Sequence, residues 1–199
     1  MSISYPRTLP SHTGIRQIDF RAVNAVAVSR SPFTLSTQAH AYAGQMWQAD
    51  ISLPPMKRAD AEQWVAWLIS LRGQYGTFLL GDPLSTSIRG TATAATITGS
   101  AGANTVTATV ANGASLLAGD MFQLGTGSDA TLHKVLVDYT GTGSGTSLEI
   151  WPALRKTRSS AAADLTSPRG VFRLSSNETP WSVNEASVYG ITFGAMEAI

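Results

Sequence analysis

Three histidines, at positions 12, 40 and 133, are the side chains of this 199-residue sequence best suited to moving a proton or holding a metal near neutral pH. None of them has a second ligand at the helical or hairpin spacing that zinc sites use. His40 and His133 fall in stretches that read as strands, where a surface or edge position is expected. Serine, histidine and aspartate all occur, but no G-x-S-x-G elbow presents a nucleophile. The run Gly141-Thr142-Gly143-Ser144-Gly145 has its serine one place off that pattern. It also lacks the lysine of a phosphate loop and the third glycine of a dinucleotide fingerprint, so it reads as a loop. Asp120, Asp129 and Asp138 do not follow the spacing of an EF-hand, and a Gly-Asp step at a strand entry is ordinary turn chemistry. A carboxylate pair for glycoside hydrolysis would have to be assembled by the fold, and no local pattern points to one. Asn177-Glu178-Thr179 matches a glycosylation acceptor, a three-residue pattern that also arises by chance. The sequence therefore assigns no catalytic, metal-binding or cofactor-binding residue, and no cofactor. With no cysteine in the chain, disulfides, thiolate metal sites and cysteine nucleophiles are excluded.

Aromatic side chains offer a different kind of chemistry, stacking against a sugar. Trp47, Trp151 and Trp181 are the candidates for holding a glycan on their faces. Trp64 and Trp67, three apart on a helical stretch, read as packing instead.

The elements that must position these residues are clearest between positions 44 and 83. Trp47, Ala49, Ile51 and Leu53 alternate with polar residues as a half-buried strand does, and Pro54-Pro55 stops the run. From Ala61 the period changes to helical, with Trp64, Val65, Leu68 and Leu71 on one stripe. Asp60 is the expected N-cap, Gln63 occupies the capping-box position, and Gly73 is placed to end the helix in a left-handed turn. The helix is expected over about 60–72. Thr77 to Leu80 then read as a short buried strand closed by Gly81-Asp82-Pro83.

Before this unit, residues 1–13 read as an extended arm that stays mobile or is ordered by a neighbouring subunit. Ile18, Phe20, Ala22, Val26 and Val28 begin a long strand whose later half, apolar on both sides, is expected to be covered on both. A second alternation from Phe33 leads through Ala43-Gly44 into the strand at Trp47. After Pro83 the composition changes. Residues 90–119 carry no charge and are mostly Ala, Thr, Gly, Ser and Val; recurring β-branched residues and the Asn112-Gly113 turn favour short strands over a linker. Further short strands follow at 121–124, 132–139 and 147–151, which suggests a small barrel or sandwich. Residues 161–169 read as a boundary, and the segments 171–174 and 188–196 as two closing strands. These could complete the sheet begun before Gly44, making the middle region an insertion.

Net charge is +1. No segment clusters enough lysine and arginine to suggest nucleic-acid binding by phosphate neutralisation, so no sequence-specific nucleic-acid partner is expected. The first residues lack the pattern of a signal peptide, and no apolar run approaches the roughly 20 residues of a membrane span, so no membrane insertion is expected.

The order of these segments resembles the distal tail proteins of long-tailed bacteriophages, and the prophage and gene-transfer-particle versions in particular. The likeness is carried by the helix with Arg72-Gly73, Phe78 and Gly81-Asp82-Pro83, then Ala118-Gly119-Asp120, Trp151-Pro152-Ala153-Leu154-Arg155, and the closing VYGITFGAMEAI. The resemblance implies a mainly β (α+β) fold: a β-sandwich hub over 1–85 and 169–199 with one α-helix, carrying an inserted β-barrel of oligonucleotide/oligosaccharide-binding type, or a sandwich, over 86–168. It implies a structural virion protein, not an enzyme. As such it would form a hexameric ring of identical subunits between tail tube protein and tail tip hub protein, its lumen passing DNA. Such a ring is assembled in the bacterial host cytoplasm and resides at the tail tip. A tail fibre or host-surface glycan would be a further partner. The alternatives are a carbohydrate-binding module using the three tryptophans, and a tail-tube or tail-terminator subunit.

Overall fold

The computed structural model describes residues 3–11, 14–185 and 188–199; His12 lies outside them. The chain is mainly β, with one long helix. In order it forms β1 (Gln17–Arg30), β2 (Thr37–Ser52), β3 (Met56–Lys57), α1 (Arg58–Ser70) and β4 (Thr77–Leu80). There follow β5 (Ala95–Gly99), β6 (Thr105–Val110), β7 (Ser115–Leu116), β8 (Met121–Leu124), β9 (Thr131–Val135), β10 (Tyr139–Thr140), β11 (Thr146–Trp151) and β12 (Arg158–Asp164). The chain closes with β13 (Gly170–Leu174), β14 (Trp181–Val183) and β15 (Val188–Glu197).

An antiparallel sheet runs in the order β1-β2-β15-β13-β4, and the first half of β15 also pairs with β3 and β14. Its strands come from both ends of the sequence. The six strands β11-β6-β5-β12-β8-β9, all drawn from the middle of the chain, close into a barrel. Closure removes the open edges that these short strands would otherwise expose.

Alternation decides which side chains face inward. Trp47, Ala49 and Ile51 of β2 share one core with Trp64, Trp67 and Leu68 of α1, with Phe78, Phe172 and Phe193 completing it. The aromatic rings meet edge to face or tilted: Trp67 and Phe78 at 5.1 Å, Trp67 and Phe193 at 6.1 Å. Trp64 and Trp67 are thus packing residues, as their spacing predicts. A second core of Ile97, Val106, Val110, Phe122, Leu124, Leu148 and Ile150 fills the barrel.

The helix starts earlier than its capping pattern suggests. Its N-cap is Lys57, without a side-chain cap, and Asp60 sits in the first turn, where its charge still complements the helix dipole. Its exit comes earlier too: the C-cap is Leu71, and the left-handed turn takes Arg72 (φ +54°) as well as Gly73 (φ +65°), where a Cβ would meet Asn177 Oδ1 at 2.7 Å. That oxygen accepts the N–H of Gln74 at 3.1 Å, so Asn177 serves the helix exit.

Residues 3–11 are ordered by contacts within their own chain. Arg7 forms a parallel bridge to Phe78, donating its N–H to the Thr77 carbonyl and accepting that of Leu79, each at 2.9 Å. Tyr5 donates its hydroxyl to the Ser70 carbonyl at 2.7 Å, and Trp67 Nε1 donates to the Thr8 carbonyl at 2.8 Å. Residues 3–11 therefore strap the helix and cap the β4 edge of the sheet in their own chain.

Candidate functional site

The β1–β2 hairpin is far longer than the body of the sheet requires. Paired residues run from Gln17 with Ser52 to Arg30 with Thr37, interrupted by a bulge between Asn24 and Val26. β15 pairs with β2 only from Gln48 to Ser52. Beyond that point the hairpin projects as a two-stranded arm. Nearly every residue from Arg21 to Gly44 is exposed, which overturns the expectation that the later half of β1 is covered on both faces. One face of the arm continues the core face of the sheet with Val26, Val28, Ala39 and Ala41. The other carries Ala27, Ser29, Gln38 and His40, with Tyr42 edge-on to His40 at 4.7 Å.

Its tip is ordered. Ser31 Oγ accepts the N–H groups of Phe33 and Thr34 at 3.3 Å, and Ser31 N–H donates to the Ser36 carbonyl at 2.9 Å. That turn holds Phe33 94 % exposed and Leu35 in the left-handed region with φ +58°. A leucine in that conformation is uncommon and costs about 1 kcal/mol against glycine.

At its root the arm meets the barrel. Trp47 and Trp151 pack edge to face, with centroids 4.4 Å apart and planes at 88°. Trp47 Nε1 donates to the Leu132 carbonyl at 3.0 Å, and Trp151 Nε1 donates to Asn24 Oδ1 at 2.8 Å. Gln45, the partner of Asn24 across the hairpin, accepts the Ala153 N–H on its side-chain oxygen at 2.7 Å. Arg155 donates to the Gln45 carbonyl at 2.6 Å and makes a two-pronged contact with Glu197, Nε to Oε1 at 3.0 Å and Nη2 to Oε2 at 2.6 Å. Glu197 in turn accepts the Trp47 N–H at 3.0 Å. The carboxylate is buried, yet a guanidinium fork and a backbone donor satisfy it, so its desolvation is offset. Met121, Leu132 and Trp151, carried on barrel strands, belong to the core of the sheet. The joint between sheet and barrel is therefore a continuous packed seam.

These positions correct the sugar-stacking expectation for two of its three residues. Trp47 is 4 % and Trp151 9 % exposed, each with its faces against protein. Trp181 lies on β14 opposite Ile191 and is 46 % exposed. The structure does not bring the three together as one surface.

His133, expected at a surface or edge, is fully buried in the barrel wall. A carbonyl can only accept, so Nδ1–H donates to Pro152 at 2.9 Å, leaving Nε2 to accept the Thr131 hydroxyl at 2.9 Å. Burial lowers the imidazole pKa to about 4, against the Pro152 hydrogen bond, which acts to raise it. The ring stays neutral at pH 7 and no solvent reaches it. Asp120 is buried and accepts the N–H groups of Arg89, Gly90 and Leu117, tying a loop together. Asp129 binds Lys156 and Arg158, whose hydrogen bonds hold its carboxyl below the usual range. Asp138 accepts the Ala118 N–H. Among the described residues no three His, Asp or Glu side chains gather as a metal site, and no helix is long and apolar enough to cross a membrane.

Searches against protein families and characterised proteins give no match. What can be said of the chain rests on its own geometry.

Sequence reasoning missed the seam residues Asn24, Gln45, Arg155 and Glu197. They come from four distant segments, and only the run from Trp151 to Arg155 stood out locally.

Proposed function

We propose that this protein is a structural subunit that assembles with copies of itself into a ring, as a distal tail protein of a long-tailed bacteriophage or related particle does. In that role it joins tail tube to tail tip hub around a DNA-passing lumen. The observation that carries the reading is the arm: a hairpin with an apolar face, an ordered apolar tip and no covering layer among the described residues. An isolated two-stranded hairpin is marginal in water, and long open edges are normally blunted by charge or proline. Between Arg21 and Gly44 the arm has only Arg21 and Arg30 as permanent charges, and its one proline is at the tip. Both edges of the arm lack a partner strand among the described residues, β1 along its length and β2 from Thr37 to Gly44, before Arg155 and Glu197 take the β2 backbone at Gln45 and Trp47. The β1 edge of one copy can pair with the β2 edge of the next, a heterologous contact that closes into a ring when the rotation permits. The resemblance supports six copies and the tail-tip location.

The test is electron microscopy and native mass spectrometry of the purified protein, beside Val28→Asp and Ala41→Asp. These place charges on the apolar face of the arm without touching either core. Closed rings from the parent chain, lost in both variants while circular dichroism is unchanged, are expected. A parent chain that stays monomeric at high concentration and binds neither tube nor hub protein would overturn the proposal. Trp181 is the tryptophan left to the carbohydrate-binding reading, because its side chain remains half exposed.

A further inference from the structure

The arm is held at one level. Its last pair before the bulge, Asn24 with Gln45, is the pair gripped by Trp151, Ala153 and Arg155 of the barrel. Beyond it the register shifts: one residue of β1, Ala25, stands against three of β2, Tyr42 to Gly44, so the bulge is on β2, and a Cβ on Gly44 would come within 3.0 Å of the Ala25 Cβ. Bulges bend a strand and raise its local twist. Below the bulge the hairpin is part of the sheet, and above it the arm is exposed. A bulge that contains a glycine, sitting directly on a clamp, has the form of a hinge with a brace.

We infer that the barrel segment from Trp151 to Arg155 is the positioning element for the arm, and that by fixing the arm's angle it fixes how many copies close a ring. The second half of this statement rests on the ring-forming reading; the first does not. In a closed sheet, circumference is set by the number and tilt of the strands, so the tilt imposed on each arm selects the number of subunits. From bulge to tip the arm spans about 30 Å, so a change of roughly 10° at the root moves the tip by about 5 Å, comparable to the spacing between neighbouring strands. Error of that size shifts a neighbour by a whole strand position. The brace is well suited to prevent it: an indole N–H, a backbone N–H and a guanidinium converge on the two side-chain amides and one carbonyl of a single residue pair, and the Arg155–Glu197 ion pair anchors the guanidinium to β15.

The absence of cysteine allows spin labels to be placed without background. Labels on Ser29→Cys in the arm and Thr107→Cys in the barrel report the arm angle; labels on Thr107→Cys and Ser159→Cys report the barrel alone. Distances are read by pulsed electron paramagnetic resonance on the monomeric fraction. Two perturbations are compared, Trp151→Phe, which keeps the ring packing and removes the donor, and Asn24→Ala with Gln45→Ala. In each, the arm–barrel distance distribution is expected to widen at least twofold while the barrel–barrel distribution stays unchanged. An unchanged arm–barrel width in both variants would overturn the brace, whatever the assembly state. Native mass spectrometry of the assembled fraction then reads the second half. One subunit number in the parent and a spread of numbers in the braceless variants is expected. The same single number in both would overturn the link to stoichiometry while leaving the ring itself intact, whereas a parent that forms no ring defeats the ring reading and leaves the distance measurement valid.

Discussion

Lowering the pH should destabilise the barrel through His133, and the size of the effect can be worked out. In the unfolded chain the imidazole titrates near 6.5; in the folded barrel burial lowers it to about 4. The unfolded state therefore takes up the proton first, so the contribution of His133 is fully present above the unfolded value and is lost as pH falls from about 6.5 toward 4. Across the whole window the linkage is about 3 kcal/mol, and about 2 kcal/mol of it is gone by roughly pH 5. Below about 4 both states are protonated and this loss ends. The assay is urea unfolding followed by tryptophan fluorescence at several pH values from neutral to mildly acid, on the parent and on His133→Gln. The carboxamide can still donate and accept, but it does not titrate, so the slopes rather than the absolute stabilities are compared. The parent should lose stability more steeply, by about 2 kcal/mol between roughly pH 7 and 5. Parallel slopes would refute the argument that a neutral, desolvated imidazole is part of the folded barrel.

Other expectations follow from the same geometry. Arg155→Ala leaves the Glu197 carboxylate buried with only the Trp47 N–H, and should cost about 3 kcal/mol in chemical denaturation. The Arg155→Ala, Glu197→Ala cycle should show a coupling of at least about 1 kcal/mol, and simple additivity would contradict the contact. Phe78→Ala removes a fully buried ring that touches Trp67 and Phe193, and should lower stability by about 3–5 kcal/mol in the same assay. On a glycan array, any binding should be lost in Trp181→Ala; loss in Trp151→Phe with Trp181 intact would contradict the burial of Trp151 in the seam. Acid weakens the Asp129 contacts with Lys156 and Arg158 only once pH falls below the ordinary carboxylate value near 4, which separates that carboxyl from His133 in an NMR titration.

Much of the body was legible locally. The alternation from Trp47 to Leu53 marks the buried part of β2 because one face lies in the core that α1 shares and the other faces outward. The stripe of Trp64, Val65 and Leu68 marks the helix, and Gly73 marks its end because the chain needs φ above zero there. The uncharged stretch after Gly90 forms strands because threonine and valine suit a pleated surface, and in β6 its alternation separates barrel interior from exterior. β12 was not visible: Ala161, Ala162 and Ala163 have weak strand preference, and closure of the barrel holds them in place. The burial of His133 was equally hidden, since its partners are a carbonyl nineteen positions away and a threonine that resembles any surface hydroxyl. The arm misled because apolar residues on both strands suggest a covered sheet, whereas no described residue covers it. Nothing short of the folded geometry brings Asn24, Gln45, Trp151 and Glu197 to one seam, because their pairing depends on how the sheet returns at β15.

The most direct measurement is the mass and symmetry of the purified protein under native conditions, by electron microscopy with native mass spectrometry. A closed ring of identical subunits, six by the resemblance, with the β1–β2 arms at the subunit boundaries is the predicted result. A monomer whose arm remains free at high concentration, and which gains no partner from tube or hub protein, would contradict it.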